Sequence, residues 1–161
     1  MRLILMVLLL IVPTITSAQS IDGIAGFILR DKENLDAAAD RLEERLGDKH
    51  LVFEIIGNHD GHSLYLVLRG RTGAAEVHLT ESDYYIGVRG HTTFVIGGEL
   101  ENPKELPRKQ IHGTGIKGGK SRVIGPGDIV HVPPNTPHNT IIDPNEPYMY
   151  LLFKIDEEPL N

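Results

Sequence analysis

The spacing of apolar positions changes once along the chain, near Leu51, and separates a helical part from a β part. From Lys32 to Leu46, KENLDAAADRLEERL sets Leu35, Ala38, Ala39, Leu42 and Leu46 on one stripe at helical spacing. Asp31 stands where an N-cap side chain is needed and Gly47 lies just past the end, so the spacing predicts one amphipathic helix over residues 32–46. Beyond it come short runs rich in β-branched and aromatic residues: LVFEIIG, SLYLVLRG, AEVHL, YYIGV, TTFVIGG, SRVIG, DIVHVP, NTII and YMYLLFKI. Gly, Pro, Asn and Asp separate them, and Asp60-Gly61 between the first two is a hairpin signal. Nine short strands of this kind predict an all-β sandwich or barrel.

The first eighteen residues fall outside this pattern. Arg2 precedes ten apolar residues, Leu3 to Val12, followed by Pro13 and the small-residue stretch TITSA. This is the layout of a secretory signal peptide, with Thr16 and Ala18 at the small positions before a cut that precedes Gln19. Ten residues fall short of the ~20 that a spanning helix needs. The absence of cysteine removes a lipid anchor on a mature N-terminal Cys. The expected organisation is a signal peptide over 1–18, an N-terminal segment with the helix over 19–50, and a β-barrel domain over 51–161, secreted or periplasmic after processing.

Composition narrows the chemistry. A chain of 161 residues with 40% hydrophobic content suits one domain, which buries roughly two-thirds of its unfolded surface without staples. Zero cysteines exclude disulfides and thiolate chemistry, so any metal must be held by nitrogen and oxygen. A net charge of −6, with Lys and Arg scattered singly, argues against nucleic acid as a partner. No GxSxG element is present, and Ser63, Ser82 and Ser121 lack a nearby His and acid in a recognisable nucleophile context. The glycines from Gly113 to Gly119 are too irregular for a phosphate loop.

Two stretches carry candidate chemistry. Strand alternation places Glu76, His78 and Thr80 on one face, with Asp83 where the next strand begins. A barrel interior excludes such side chains unless they are paired or bind something. Farther on, Gly127 is followed after five residues by Pro133, then by Asn135 and His138. Pro133, Pro134 and Pro137 fix φ around this turn, so His138 is presented on a backbone that loses little entropy on ordering.

These positions resemble the two signature motifs of the cupin superfamily, a jelly-roll β-barrel. Glu76, His78, Asp83 and Gly90 have the spacing of the first motif, with Glu in the first His position and Asp in the Glu position. Gly127, Pro133 and His138 match the second, with Asn135 in place of the usual glycine and Ile142 where an asparagine is common. The resemblance covers about residues 51 to 155 and implies a cupin-type barrel. In cupins these four positions usually hold one divalent ion, which implies His78, Asp83 and His138 as ligands and Glu76 as a fourth ligand or a nearby base. Two imidazoles and a carboxylate suit iron, manganese or zinc. Such an ion fits a metal-dependent enzyme of oxygenase or isomerase type acting on a small oxygen-rich molecule, with Glu76 or Tyr85 available for proton transfer. The alternative is a non-catalytic module for a carbohydrate or other small molecule, its histidines satisfied by Glu76 and Asp83 without metal. A small-molecule ligand is thus the expected partner, with a homodimer kept open and no membrane after processing.

The other histidines rank lower. His131 alternates with Ile129 and reads as satisfied or partly exposed, while His59, His62 and His91 read as exposed turn residues. His50 closes the loop after the helix and has no visible partner. His112 lies in an extension over about residues 100–120, beyond what the leanest cupins need between their motifs; a lid or rim that sets ligand choice, with His112 as a polar contact, and a polar surface excursion are both open readings. Export gives the first testable outcome: native protein should begin at Gln19, within about two residues, outside the cytoplasm. Intact-mass analysis that finds Met1 retained would overturn it.

Overall fold

The computed structural model of the chain describes Ile24 and residues 26–159; the expected signal peptide lies outside them. Helix α1 (Lys32–Leu46) has the bounds that its apolar stripe predicts. Asp31 caps it by accepting a hydrogen bond from the Asn34 N–H at 2.8 Å, and Gly47 ends it at φ 46°. Among the described residues no helix is long and apolar enough to cross a membrane.

The nine expected strands all form. They are β1 (Leu51–His59), β2 (His62–Arg69), β3 (Ala75–His78), β4 (Glu81–Arg89), β5 (Thr92–Ile96), β10 (Lys120–Ile124), β11 (Ile129–Val132), β12 (His138–Ile141) and β13 (Tyr148–Asp156). Four short ones join them in the extension: β6 (Glu99–Glu101), β7 (Lys104–Leu106), β8 (Gln110–Gly113) and β9 (Gly115–Lys117). A five-stranded sheet runs β1-β2-β13-β4-β11, a six-stranded sheet β10-β5-β12-β3-β8-β7, and β6 pairs with β9. Every pairing between these strands is antiparallel.

Alternation along the strands sorts side chains into two cores. Val67, Tyr85, Tyr148 and Tyr150 from the five-stranded sheet meet Phe94, Ile124 and Ile142 inside the barrel. Ile142, at a position where the motif often has asparagine, is therefore a core residue. Leu66, Leu68, Val52 and Met149 point outward and are covered by Ala38, Ala39 and Leu42 of α1. Arg41 adds a two-pronged contact to Glu54 on β1, at 2.9 and 2.8 Å.

Strands β7 and β8 of the extension belong to the barrel wall, while β6 and β9 form a separate two-stranded sheet. Strand β8 pairs with β3 along its full length, setting His112 opposite Glu76 and Gln110 opposite His78. Strand β8 is not a detached lid, because its backbone satisfies the edge of the strand that carries the first motif.

Leu42 is fully buried at 0% exposure, whereas Leu35 is half-buried and outside the cluster. Leu42→Ala should therefore lower unfolding free energy by about 2–5 kcal/mol in denaturant titrations, and Leu35→Ala by less. Equal effects would contradict this docking of the helix.

Candidate metal centre

The site forms where the two sheets face each other at one end of the barrel. Glu76 and His78 project from β3, and His138 from β12, whose register places it opposite Glu76. Asp83 comes from β4, opposite Lys154 of β13. His78, His138 and Asp83 are 5%, 2% and 1% exposed, so water cannot compensate their polar atoms.

Local sequence explains how His138 is held. Its Nδ1 donates to the Thr136 carbonyl at 3.0 Å, within the proline-bounded turn. Asn135 takes the left-handed conformation at φ 59°, which a glycine or asparagine reaches most readily. From there its N–H bonds the His78 carbonyl at 2.8 Å and its side-chain amide bonds the Leu79 carbonyl at 3.0 Å. The second motif is thereby tied to the end of the first. Gly90 is required by contact: a Cβ there would stand 2.3 Å from the Pro147 carbonyl oxygen.

The outer nitrogens of both rings are engaged. His78 Nδ1 pairs with Gln110 Oε1, and the Gln110 amide nitrogen donates to Glu81 at 2.9 Å. That donation turns the amide oxygen toward His78, which places the proton on Nδ1. In both histidines the inner Nε2 is buried and has no hydrogen-bond partner among the described residues. His78 Nε2 lies 3.2 Å from Asp83 Oδ2 and 3.6 Å from Glu76 Oε2; His138 Nε2 lies 3.7 Å from the same Asp83 oxygen.

Lone pairs facing a carboxylate at these distances need a positive charge between them. A second proton on His78 is one answer and a metal ion is the other. The donor types fit a divalent ion: two imidazoles oriented by hydrogen bonds at their far nitrogens, with the Asp83 and Glu76 carboxylates near their inner nitrogens and nothing softer. Glu76, His78 and His138 offer ligand atoms that lie within 4.8 Å of one another, as do His78, Glu81 and Asp83.

The electrostatics follow from burial and charge. Burial pulls the His138 imidazole below its ordinary value and keeps it neutral. Burial acts the same way on His78, but the Asp83 carboxylate outweighs it and raises that imidazole. Asp83 is itself opposed by burial, yet His78 and Lys154 lower it to about 2. Burial would lower the Lys154 ammonium, but Asp83 and Glu81 hold it up; its Nζ is 2.6 Å from Asp83 Oδ1 and 3.1 Å from Glu81. Tyr85 stands over Asp83 Oδ2 at 3.4 Å, and burial pushes its phenol well up.

Glu81, Gln110 and Lys154 were not candidates on sequence. Lys154 had a readable signal, since it continues the inward series Tyr148, Tyr150, Leu152. These three residues also line a cavity of about 660 Å³ at the barrel mouth. His59 and His62 are exposed, as expected, but their rings stack at 4.9 Å and line this cavity. His131 is exposed and stacks on Tyr84, His91 is exposed against Glu146, and His50 is exposed. His112 is half-buried beside Glu76 in register.

No protein-family model matches the sequence and no curated protein is similar to it. Solved structures do match. A protein of Thermus thermophilus is 14% identical, with a TM-score of 0.53 over 81% of this chain and 98% of that one. A cupin-like protein of Thermotoga maritima is 16% identical, with a TM-score of 0.48 over 69% of this chain and 76% of that one. A Streptomyces nucleoside dehydratase is 16% identical, with a TM-score of 0.47 over 66% of this chain and 70% of that one. The fold is a barrel of antiparallel sheets, shared with the Thermus thermophilus protein. At these identities the likeness is one of fold, and the chemistry of this barrel has to be argued from its own residues.

The depressed Asp83 carboxyl makes a pH prediction for metal-free protein. Its folded value of about 2 lies below the ordinary 3.8, so its contribution is present above about pH 4 and lost as pH falls toward 2. The loss is on the order of 2 kcal/mol. Asp83→Asn should flatten the dependence of unfolding free energy on pH across that window. An unchanged slope would contradict the assignment.

Proposed function

We propose that the protein holds one divalent ion, iron, manganese or zinc, through His78 Nε2, His138 Nε2 and Asp83 Oδ2, with Glu76 as fourth ligand or adjacent base. On this reading it is an exported, metal-dependent enzyme of oxygenase or isomerase type that acts on a small oxygen-rich molecule. The observation that carries the proposal is the pair of buried, unpartnered Nε2 atoms converging on one carboxylate oxygen. When bound, the ion would supply Lewis acidity and open positions for a ligand's oxygens.

The protein's own groups have distinct tasks in this reading. Gln110 and Thr136 hold the protons on the outer ring nitrogens, so both inner nitrogens keep their lone pairs. Lys154 occupies Asp83 Oδ1 and leaves Oδ2 aimed at the histidines. Glu76, with its side chain 25% exposed, is the carboxylate able to exchange a proton with a bound molecule. Tyr85 serves as a hydrogen-bond donor to Asp83 rather than as a base, because burial keeps its proton on.

Lys154 also favours a second reading. With its ammonium on Asp83 and a proton on His78, the cluster is compensated without metal, and the barrel is then a non-catalytic module for a small molecule or carbohydrate.

Elemental analysis and thermal unfolding separate the two. The metal reading expects about one ion per chain, a lower Tm after chelation and recovery on metal addition; occupancy at 100 times Kd stabilises by about 2.7 kcal/mol. His138→Ala should abolish the response, and His131→Ala should keep it. A Tm untouched by chelator, with well below one ion per chain after metal is offered, hands the protein to the second reading.

A further inference from the structure

We infer that the cavity at the barrel mouth selects small polyhydroxy compounds bearing one carboxylate or phosphate group, and that Arg108 is the residue that selects the anion. This rests on the reading that the mouth takes a small oxygen-rich molecule, and it names the class. The cavity of about 660 Å³ has the size of a monosaccharide-scale site. Asn58, Ser63, Gln110 and Lys154 give it hydrogen-bonding walls, suited to hydroxyl groups rather than to an apolar ligand.

The charges in the lining are unequally engaged. Glu81 accepts from Lys154 and Gln110, and Asp156 accepts the Glu158 N–H at 3.0 Å. Asp60 is exposed at the tip of the β1–β2 hairpin. Lys154 directs two of its three N–H groups to Asp83 and Glu81, leaving one for a ligand. Arg108 makes no ion pair or side-chain hydrogen bond among the described residues, so its whole guanidinium fork is available.

The backbone beneath Arg108 is held in an unfavourable shape. Arg108 and Lys109 are consecutive non-glycine residues in the left-handed region, at φ 63° and 55°. Lys109 is pinned by its Nζ to the Glu158 carboxylate at 2.9 Å and to the Glu158 carbonyl at 3.3 Å. That clamp fixes the β7–β8 turn against the end of β13 and sets Arg108 at the cavity lip. A planar guanidinium at the lip and an ammonium on the floor match a carboxylate or phosphate joined to a hydroxylated body.

Isothermal titration of the full chain with gluconate, glucose 6-phosphate and glucose tests this, using metal-loaded and chelated protein in parallel. At least one of the two acids should bind about tenfold tighter than glucose or better, and the pair shows whether carboxylate or phosphate is preferred. Arg108→Gln should remove the advantage while Tm and metal content stay unchanged. Arg71→Gln, an exposed arginine paired with Asp48, should keep it. Equal affinity for acids and glucose, a preference that survives Arg108→Gln, or no binding of any of the three overturns the inference. A failed metal reading would instead show in the ion content and leave the chelated titration to be read by itself.

Discussion

The carboxylate of Asp83 is the constraint around which this barrel is arranged. An ionised group with 1% of its surface exposed must find compensation from the protein, since water is excluded. The need is met from other strands by Lys154 of β13 and His78 of β3, and by Tyr85 two residues along its own strand. The compensation crosses from one sheet to the other. The electrostatic requirement at the site and the closure of the two sheets over it are therefore one condition.

Below this polar end the barrel is filled by rings. Tyr85 packs on Phe94 and Tyr150 at 5.1 Å, and Phe94 lies parallel to His138 with centroids 6.3 Å apart. Aromatic packing restricts the rotation of His138 while Thr136 fixes its tautomer, so ring plane and proton position are set by separate contacts. The helix takes no part in this. It covers outward-facing Leu66, Leu68 and Met149, which stiffens β2 and β13 from behind and keeps their inward residues, Lys154 among them, in register.

How much could be read from the sequence depended on how local each signal was. The bounds of α1 follow from Asp31 and Gly47, which act within one turn of the helix. The nine expected strands follow from short β-branched and aromatic runs between turn residues, and the convergence of His78 and His138 follows from motif spacing. Gln110 gave no signal, because its role exists only once β8 pairs with β3, and short polar strands such as QIHG lack the apolar alternation that marks a strand. His59 and His62 are exposed as expected, but they end β1 and begin β2 rather than lie in the turn. Their place at the cavity depends on where the end of β13 and the β7–β8 turn lie, which no local pattern encodes. Lys154 carries a readable signal, as an inward-facing lysine in an otherwise aromatic and aliphatic series.

The pairing of β8 with β3 has a consequence for how such a barrel can be altered. Arg108 at the lip and Gln110 against the His78 ring are two residues apart on one short turn, whose backbone is clamped by Lys109. A graft that exchanges this hairpin to change what enters the mouth also exchanges the side chain that sets the proton on His78. Entrance and centre are parts of one covalent piece, and the modular treatment suited to detached loops does not apply to it.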